Sequence, residues 1–333
     1  MTSTSTARVR RPLPLRPSLA LIAALLAVLL SGCAASYAET PVPQPTPEPA
    51  PTPPAAGGGP SCDNALQSYA PEGALPAPGK MPAGSTMAEI AKRGRLIVGV
   101  SSDSRLLGAR NRTSGRIEGF DTDVARSIAA AIFGDANRIE LRVITASQRI
   151  PLLADGEVDL VVRNFTINCD RWKEIAFSAE YYRAGTKVLG PRGDAIINLG
   201  SLDGRRVCMP SGTTQAALLA RDAPGAIPVE AANHTQCLRL FQTGQADAII
   251  GDDAVLAGLA SQDPYAKVMQ MPPITPEPYG VGVNAENVDL VRFVNGVLER
   301  RAADGEWQRS YDRWLLPYLG KGAPPKPAYG RNP

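Results

Sequence analysis

The chain of 333 residues holds one histidine, His234, and only 5% aromatic residues. A metal site built on two or more imidazoles is excluded, and any His-based catalysis would rest on that single side chain. There is no Gly-x-Ser-x-Gly elbow for a serine nucleophile and no Cys-x-x-Cys pair for redox chemistry. Charged residues make up 20% and hydrophobic residues 44%, which excludes wholesale disorder and a multi-span membrane protein. The length suggests about two domains.

What is present divides along the chain. Residues 1–33 contain Arg8, Arg10, Arg11 and Arg16 without an acid, then an apolar run from Leu19 to Leu30, then Ser31-Gly32-Cys33. This is the pattern of an export signal. Leu30-Ser31-Gly32-Cys33 resembles the bacterial lipobox, which implies that Cys33 is lipidated and becomes the mature N-terminus. Without that signal the formal charge of +3 becomes −1, with 31 basic against 32 acidic residues. The apparent basicity belongs to the signal, and a nucleic-acid partner loses its support. Nine prolines and Gly57-Gly58-Gly59 fill residues 41–60. Such a segment is extended and buries no core, reaching on the order of 60 Å at about 3.1 Å per residue. Residues 34–85 therefore read as a Pro-rich disordered tether and N-terminal extension, and residues 319–333 as a disordered tail.

Between Thr86 and Gly320 strand-like and helical runs alternate. Leu96 to Val100, Ile139 to Ile144, Arg206 to Met209 and Ala248 to Ile250 read as strands; Asp121 to Phe133, Gln148 to Ala154, Thr213 to Arg221 and Val288 to Asp304 read as helices. Alternation of this kind predicts an α/β fold, and nine candidate strands over about 235 residues fit two small sheets better than one. Ligands of open α/β sheets bind at the carboxyl ends of the strands.

A series of motifs carries a family resemblance. In order they are Gly119-Phe120-Asp121-Thr122-Asp123, Asp159-Leu160-Val161-Val162 running into Thr166-Ile167-Asn168-Cys169-Asp170-Arg171, Phe177-Ser178 with Tyr181-Tyr182, and Ser211-Gly212-Thr213-Thr214. They continue with Ala246 to Asp252, Glu277-Pro278-Tyr279-Gly280-Val281 and Asp304-Gly305-Glu306-Trp307. The series resembles the polar amino-acid solute-binding proteins of ABC transporters, the glutamine/glutamate-binding group. With the lipobox and Pro-rich spacer it is similar in particular to the actinobacterial glutamine-binding lipoproteins. The resemblance spans about residues 86–318.

It implies a two-lobed periplasmic-binding-protein-like fold of type II, with two small mixed sheets joined by two crossover strands. Lobe one would be 86–183 plus 279–318, and lobe two 184–278, with crossings near Arg183-Ala184-Gly185 and Pro276-Glu277-Pro278. The implied role is capture of a polar or acidic amino acid and delivery to an ABC permease, from the outer face of the cytoplasmic membrane, as a lipid-anchored monomer. A sensor lipoprotein signalling to a membrane partner is the alternative, and an enzyme on the same fold a remoter one. No cofactor, metal or catalytic residue is implied.

A free amino acid presents a carboxylate and an ammonium, each costly to bury unpaired. By the resemblance, Arg171 clamps the carboxylate, a task suited to a guanidinium fork. Thr213 and Thr214 open a helix whose N–H groups can meet the same carboxylate, although a plain N-cap explains them as well. Asp252 pairs the ammonium, Asp253 caps the following helix, and Thr166 adds a hydroxyl. Arg163 and Asn164 stand where many relatives carry small residues, so Arg163 is expected to pair an anionic side chain and Asn164 to help admit an amide. Phe165 forms an apolar wall or belongs to the core. Ser101 to Leu107 lacks the aromatics that relatives place there, which disfavours large cationic ligands. The expected ligand is aspartate, glutamate, asparagine or glutamine. With Cys33 lipidated, Cys62, Cys169, Cys208 and Cys237 remain for disulfides. Four cysteines allow three pairings, which the sequence alone leaves open; because a bridge between lobes would restrict closure, Cys208–Cys237 and Cys62–Cys169 are the favoured ones.

Overall fold

The computed structural model describes residues 63–332. The export signal, Cys33, Cys62 and the proline-rich stretch at 41–60 lie outside the described residues. None of the described helices is long and apolar enough to cross a membrane.

The first lobe is built on a five-stranded sheet in the order Ile139–Val143, Leu96–Val100, Leu160–Val161, Gly282–Asn284, Ile175–Phe177. The first three strands are parallel, with Val98 facing Leu141 on one side and Leu160 on the other. Gly282–Asn284 runs antiparallel to both of its neighbours. The helix Phe120–Phe133 packs against this sheet through Val124, Ile128 and Ile132, all fully buried. Each such side chain contributes about 1.5–3 kcal/mol relative to exposure. Its start is fixed by Gly119 at φ 147°, where a Cβ would lie 2.2 Å from the Leu107 carbonyl oxygen. Only glycine permits that approach.

The second lobe carries the order Ile227–Ala231, Arg206–Pro210, Ala248–Asp252, Tyr182–Pro191, Ala266–Val268. Successive residues of Arg206–Pro210 alternate between two buried clusters, Val207 and Met209 on one face and Cys208 on the other. Cys208 is bonded to Cys237 on the helix His234–Gln242 with a Cα–Cα separation of 5.5 Å, so this bridge lies within one lobe. Cys169 is also disulfide-bonded; Cys62, its expected partner, lies outside the described residues.

Two segments pass between the lobes and pair with each other. Tyr182–Pro191 runs antiparallel to Pro276–Tyr279, with Arg183 facing Pro278 and Ala184 facing Glu277. The long strand therefore belongs to the crossing at one end and to the second sheet at the other.

The terminal segments differ from the sequence expectation. Within 63–85, Tyr69 is buried, Leu75 and Met81 pack on the first lobe's core, and Ser85 caps the helix Thr86–Arg93. The supposed tail is ordered as well, since Ala328–Tyr329 pairs in parallel with Gln67–Ser68. The reason is polar and distant in sequence. The fully buried Asn295 amide donates to Ser68 Oγ at 2.9 Å and to the Tyr69 carbonyl at 2.7 Å, while its oxygen accepts from Ala179 N. These segments use a surface prepared by the rest of the lobe and so show no apolar period of their own.

Candidate ligand-binding site

The carboxyl ends of strands from both sheets converge beside the crossing segments. From the first lobe come Arg149, which opens the helix Arg149–Ala154 after the strand Ile139–Val143, and Arg171, which opens the short turn Arg171–Lys173. From the second come the loop Ser211-Gly212-Thr213, leading into the helix Thr214–Asp222, and Asp252 at the end of Ala248–Asp252. Gly212 has φ 75°, and a Cβ there would lie 2.8 Å from Ser147 Cα of the first lobe. The lobes thus approach within backbone contact at a glycine.

Arg149 and Arg171 reach the same atom from the first lobe. Arg149 Nη2 donates to the Gly212 carbonyl at 2.9 Å and Arg171 Nη2 to the same oxygen at 3.4 Å. Both guanidiniums lie against the Phe165 ring, at 4.3 and 4.9 Å from its centroid. Arg149 also donates to the carbonyls of Ala146 and Asn164, and Arg171 to that of Thr166. Arg163 donates to the Ile144 carbonyl at 2.8 Å. The three arginines are 2%, 3% and 8% exposed for Arg149, Arg163 and Arg171, and none has a carboxylate within ion-pair distance among the described residues. Burial lowers the Arg149 pKa well below its ordinary value, helped by Arg171 and Arg163, and brings Arg171 down to about 10. Nearby carboxylates, Glu277 and Asp252 for Arg171 and Asp103 and Asp121 for Arg163, oppose such lowering without reaching ion-pair distance.

Two carboxylates complete the site. Glu277, on a crossing segment, accepts from the hydroxyls of Thr166, Thr186, Thr214 and Thr275 at 2.7 to 3.0 Å. Asp252 accepts from Tyr279 Oη at 2.5 Å and from Gln215 Nε2 at 2.6 Å. Burial, reinforced by Glu277, pushes the Asp252 carboxyl up to about 8. The arrangement places buried guanidiniums and carboxyl groups side by side.

Residues 96–317 match the family model of bacterial extracellular solute-binding proteins, family 3. The chain belongs to that family. It is 34% identical over 231 residues to the ABC transporter glutamine-binding protein GlnH of Bacillus subtilis, covering 69% of this chain and 84% of that one. It is 29% identical over 243 residues to a glutamate/aspartate import solute-binding protein of Salmonella typhimurium, covering 70% and 80%. Its fold is similar to the solute receptor for L-cysteine of Neisseria gonorrhoeae, with a TM-score of 0.66 at 25% identity over 71% of this chain and 96% of that one. A solute-binding protein rather than an enzyme thus presents these side chains, and the periplasmic-binding-protein-like fold is that of its relatives.

The residues singled out in the sequence fall as follows. Arg171, Asp252, Thr166 and Thr214 share one hydrogen-bonded and electrostatic cluster with Glu277. Thr213 precedes the helix, but its hydroxyl donates to the Pro210 carbonyl at 2.7 Å and does not cap it. Asn164 takes φ 34°, donates its N–H to Asp121 at 2.7 Å, and leaves its buried side-chain oxygen without a partner. Asp121, which also accepts from Tyr181, is raised to about 6 by burial. Phe165 is fully buried and supports the two guanidiniums. Asp253 was expected as a cap; Asp252 holds the cap position instead, and the Asp253 carboxylate accepts from the neighbouring Ala254 N–H. The first residue past the strand end is already helical, which moves the boundary by one.

Sequence reading missed Arg149, Glu277, Gln215, Tyr279 and His234 as site residues. His234 is 4% exposed with Nε2 unpartnered; burial and the nearby Arg163 lower it to about 4. Arg149 was discoverable, because it follows the carboxyl end of a parallel strand. Glu277 stood in the motif Glu277-Pro278-Tyr279-Gly280-Val281 and at the expected crossing, but neither feature assigned it to the site.

Proposed function

We propose that the protein captures a polar or acidic amino acid, namely aspartate, glutamate, asparagine or glutamine, by lobe closure and delivers it to an ABC permease while lipid-anchored through Cys33. The observation that carries this reading is the pair of buried guanidiniums, Arg149 and Arg171, converging on one point of the second lobe beside Asp252. Arg171 and the first N–H groups of the helix Thr214–Asp222 take the ligand's α-carboxylate. Asp252 takes its ammonium. Arg149 and Arg163, with His234 beside them, form the side-chain end and supply positive charge there. The glutamine- and glutamate/aspartate-binding relatives support the ligand class.

A thermal-shift screen of the twenty amino acids tests it, since a ligand bound only by the native state raises its melting temperature by mass action. A rise with aspartate, glutamate, asparagine or glutamine is expected. A response only to lysine, arginine or histidine contradicts the reading.

A further inference from the structure

The C-terminal residues connect physically to the Arg171 turn. Arg331 lays its guanidinium on the Trp172 ring, 3.7 Å from the centroid. It donates through Nε to the Gln67 carbonyl and through Nη2 to that of Asn64, both at 3.1 Å. The backbone N–H groups of Gly330 and Arg331 both donate to the Ser68 carbonyl at 3.2 Å. Trp172, held from its far edge, donates Nε1 to the Ala65 carbonyl at 2.8 Å. The N- and C-terminal segments therefore close over one side chain, and that side chain is the immediate neighbour of Arg171.

From Trp172 the contacts continue inward. Its ring meets Phe177 edge-on at 5.6 Å, Phe177 meets Phe165 at 4.9 Å, and Phe165 lies under the guanidiniums of Arg171 and Arg149. The turn Arg171–Lys173 is only three residues long, and Asn168 supplies its local support by accepting from Arg171 N and Trp172 N. Lys173 N and Glu174 N donate to the Asp170 and Arg171 carbonyls, and Cys169 just before the turn is disulfide-bonded, so the contacts at Trp172 add to these local anchors from the opposite side of the turn's sequence.

We propose that residues 321–332, acting through Arg331 and Trp172, form a strap that positions Arg171, so that the strap determines ligand affinity without touching the cleft. The role of Arg171 rests on the function proposed above. Trp172 and Arg331 are positioning residues. Linkage makes the effect reciprocal: a ligand that fixes Arg171 also tightens the strap.

The test compares the full-length protein with Arg331→Ala and with Tyr329→Phe. Tyr329 donates to the exposed Glu299 and so ties the strap elsewhere than at Trp172. In Arg331→Ala, amide hydrogen exchange across 166–174 of the ligand-free protein is expected to accelerate. Its affinity for L-glutamate by calorimetry is expected to fall about tenfold, the scale of coupling through packed networks. Tyr329→Phe is expected to leave both unchanged. Unaltered exchange at 166–174 in Arg331→Ala, or equal losses in the two variants, overturns the strap. Failure of the wild type to bind L-glutamate would count against the proposed ligand, while the exchange measurement would still decide the strap.

Discussion

At the residue scale the proposed site is an arrangement of buried charges that a ligand would complete. Asp252 makes this measurable. Burial holds its carboxyl at about 8, above its ordinary value, so at pH 7 it is largely protonated in the ligand-free protein. An ammonium placed beside it favours the charged form and lowers that pKa, so binding releases a proton. Calorimetric titrations with L-glutamate at pH 7, in buffers of different ionisation enthalpy, are expected to show release approaching one proton per site, and Asp252→Asn to abolish it. Proton uptake, or the same release in the variant, would remove Asp252 from the ammonium position. Arg171 and Asp252 were named from the sequence because the family resemblance gives each a role. Glu277 stands in another motif of the same series but was given no role, since its hydrogen bonds come from four threonines that lie as far as 111 residues away in the chain.

At the element scale the decisive feature is the turn between Arg206–Pro210 and Thr214–Asp222. It presents the Gly212 carbonyl to both guanidiniums and packs its α-carbon against Ser147. A side chain at Gly212 meets two obstacles, a left-handed φ costing roughly 1–2 kcal/mol and a backbone contact across the lobes. Gly212→Ala is expected to weaken L-glutamate binding at least tenfold, while the ligand-free melting temperature drops by only a few degrees. Equal affinity in calorimetry would show that closure does not bring these backbones together. The helix starting at Thr214 was readable from its threonines. The contact at Ser147 was not, because it joins two lobes whose approach no local pattern encodes.

At the scale of the whole molecule, alternating strands and helices revealed the two largest sheets but not the three-stranded one of Asp103–Ser104, Gly108–Arg110 and Ile117–Glu118 or the two-stranded one of the terminal segments, and the ordered motifs over 86–318 coincide with the family match at 96–317. The terminal segments were misread for a physical reason. Their proline and glycine content marks chains that build no core, yet Ser68, Tyr69 and Arg331 are held by Asn295 and Trp172 of the folded lobe. Composition describes what a segment can build, and these segments dock on what another has built. The proposed function requires two lobes that close on an amino acid whose negative charge meets the buried arginines. Calorimetric titration of L-glutamate into the wild type and Arg149→Met tests it most directly. Removing one partner of a buried, hydrogen-bonded charge pair costs about 2–5 kcal/mol, so the wild type is expected to bind and the variant to bind at least about 30-fold more weakly. Equal affinity in the two proteins, or no binding by the wild type, would overturn the proposed function.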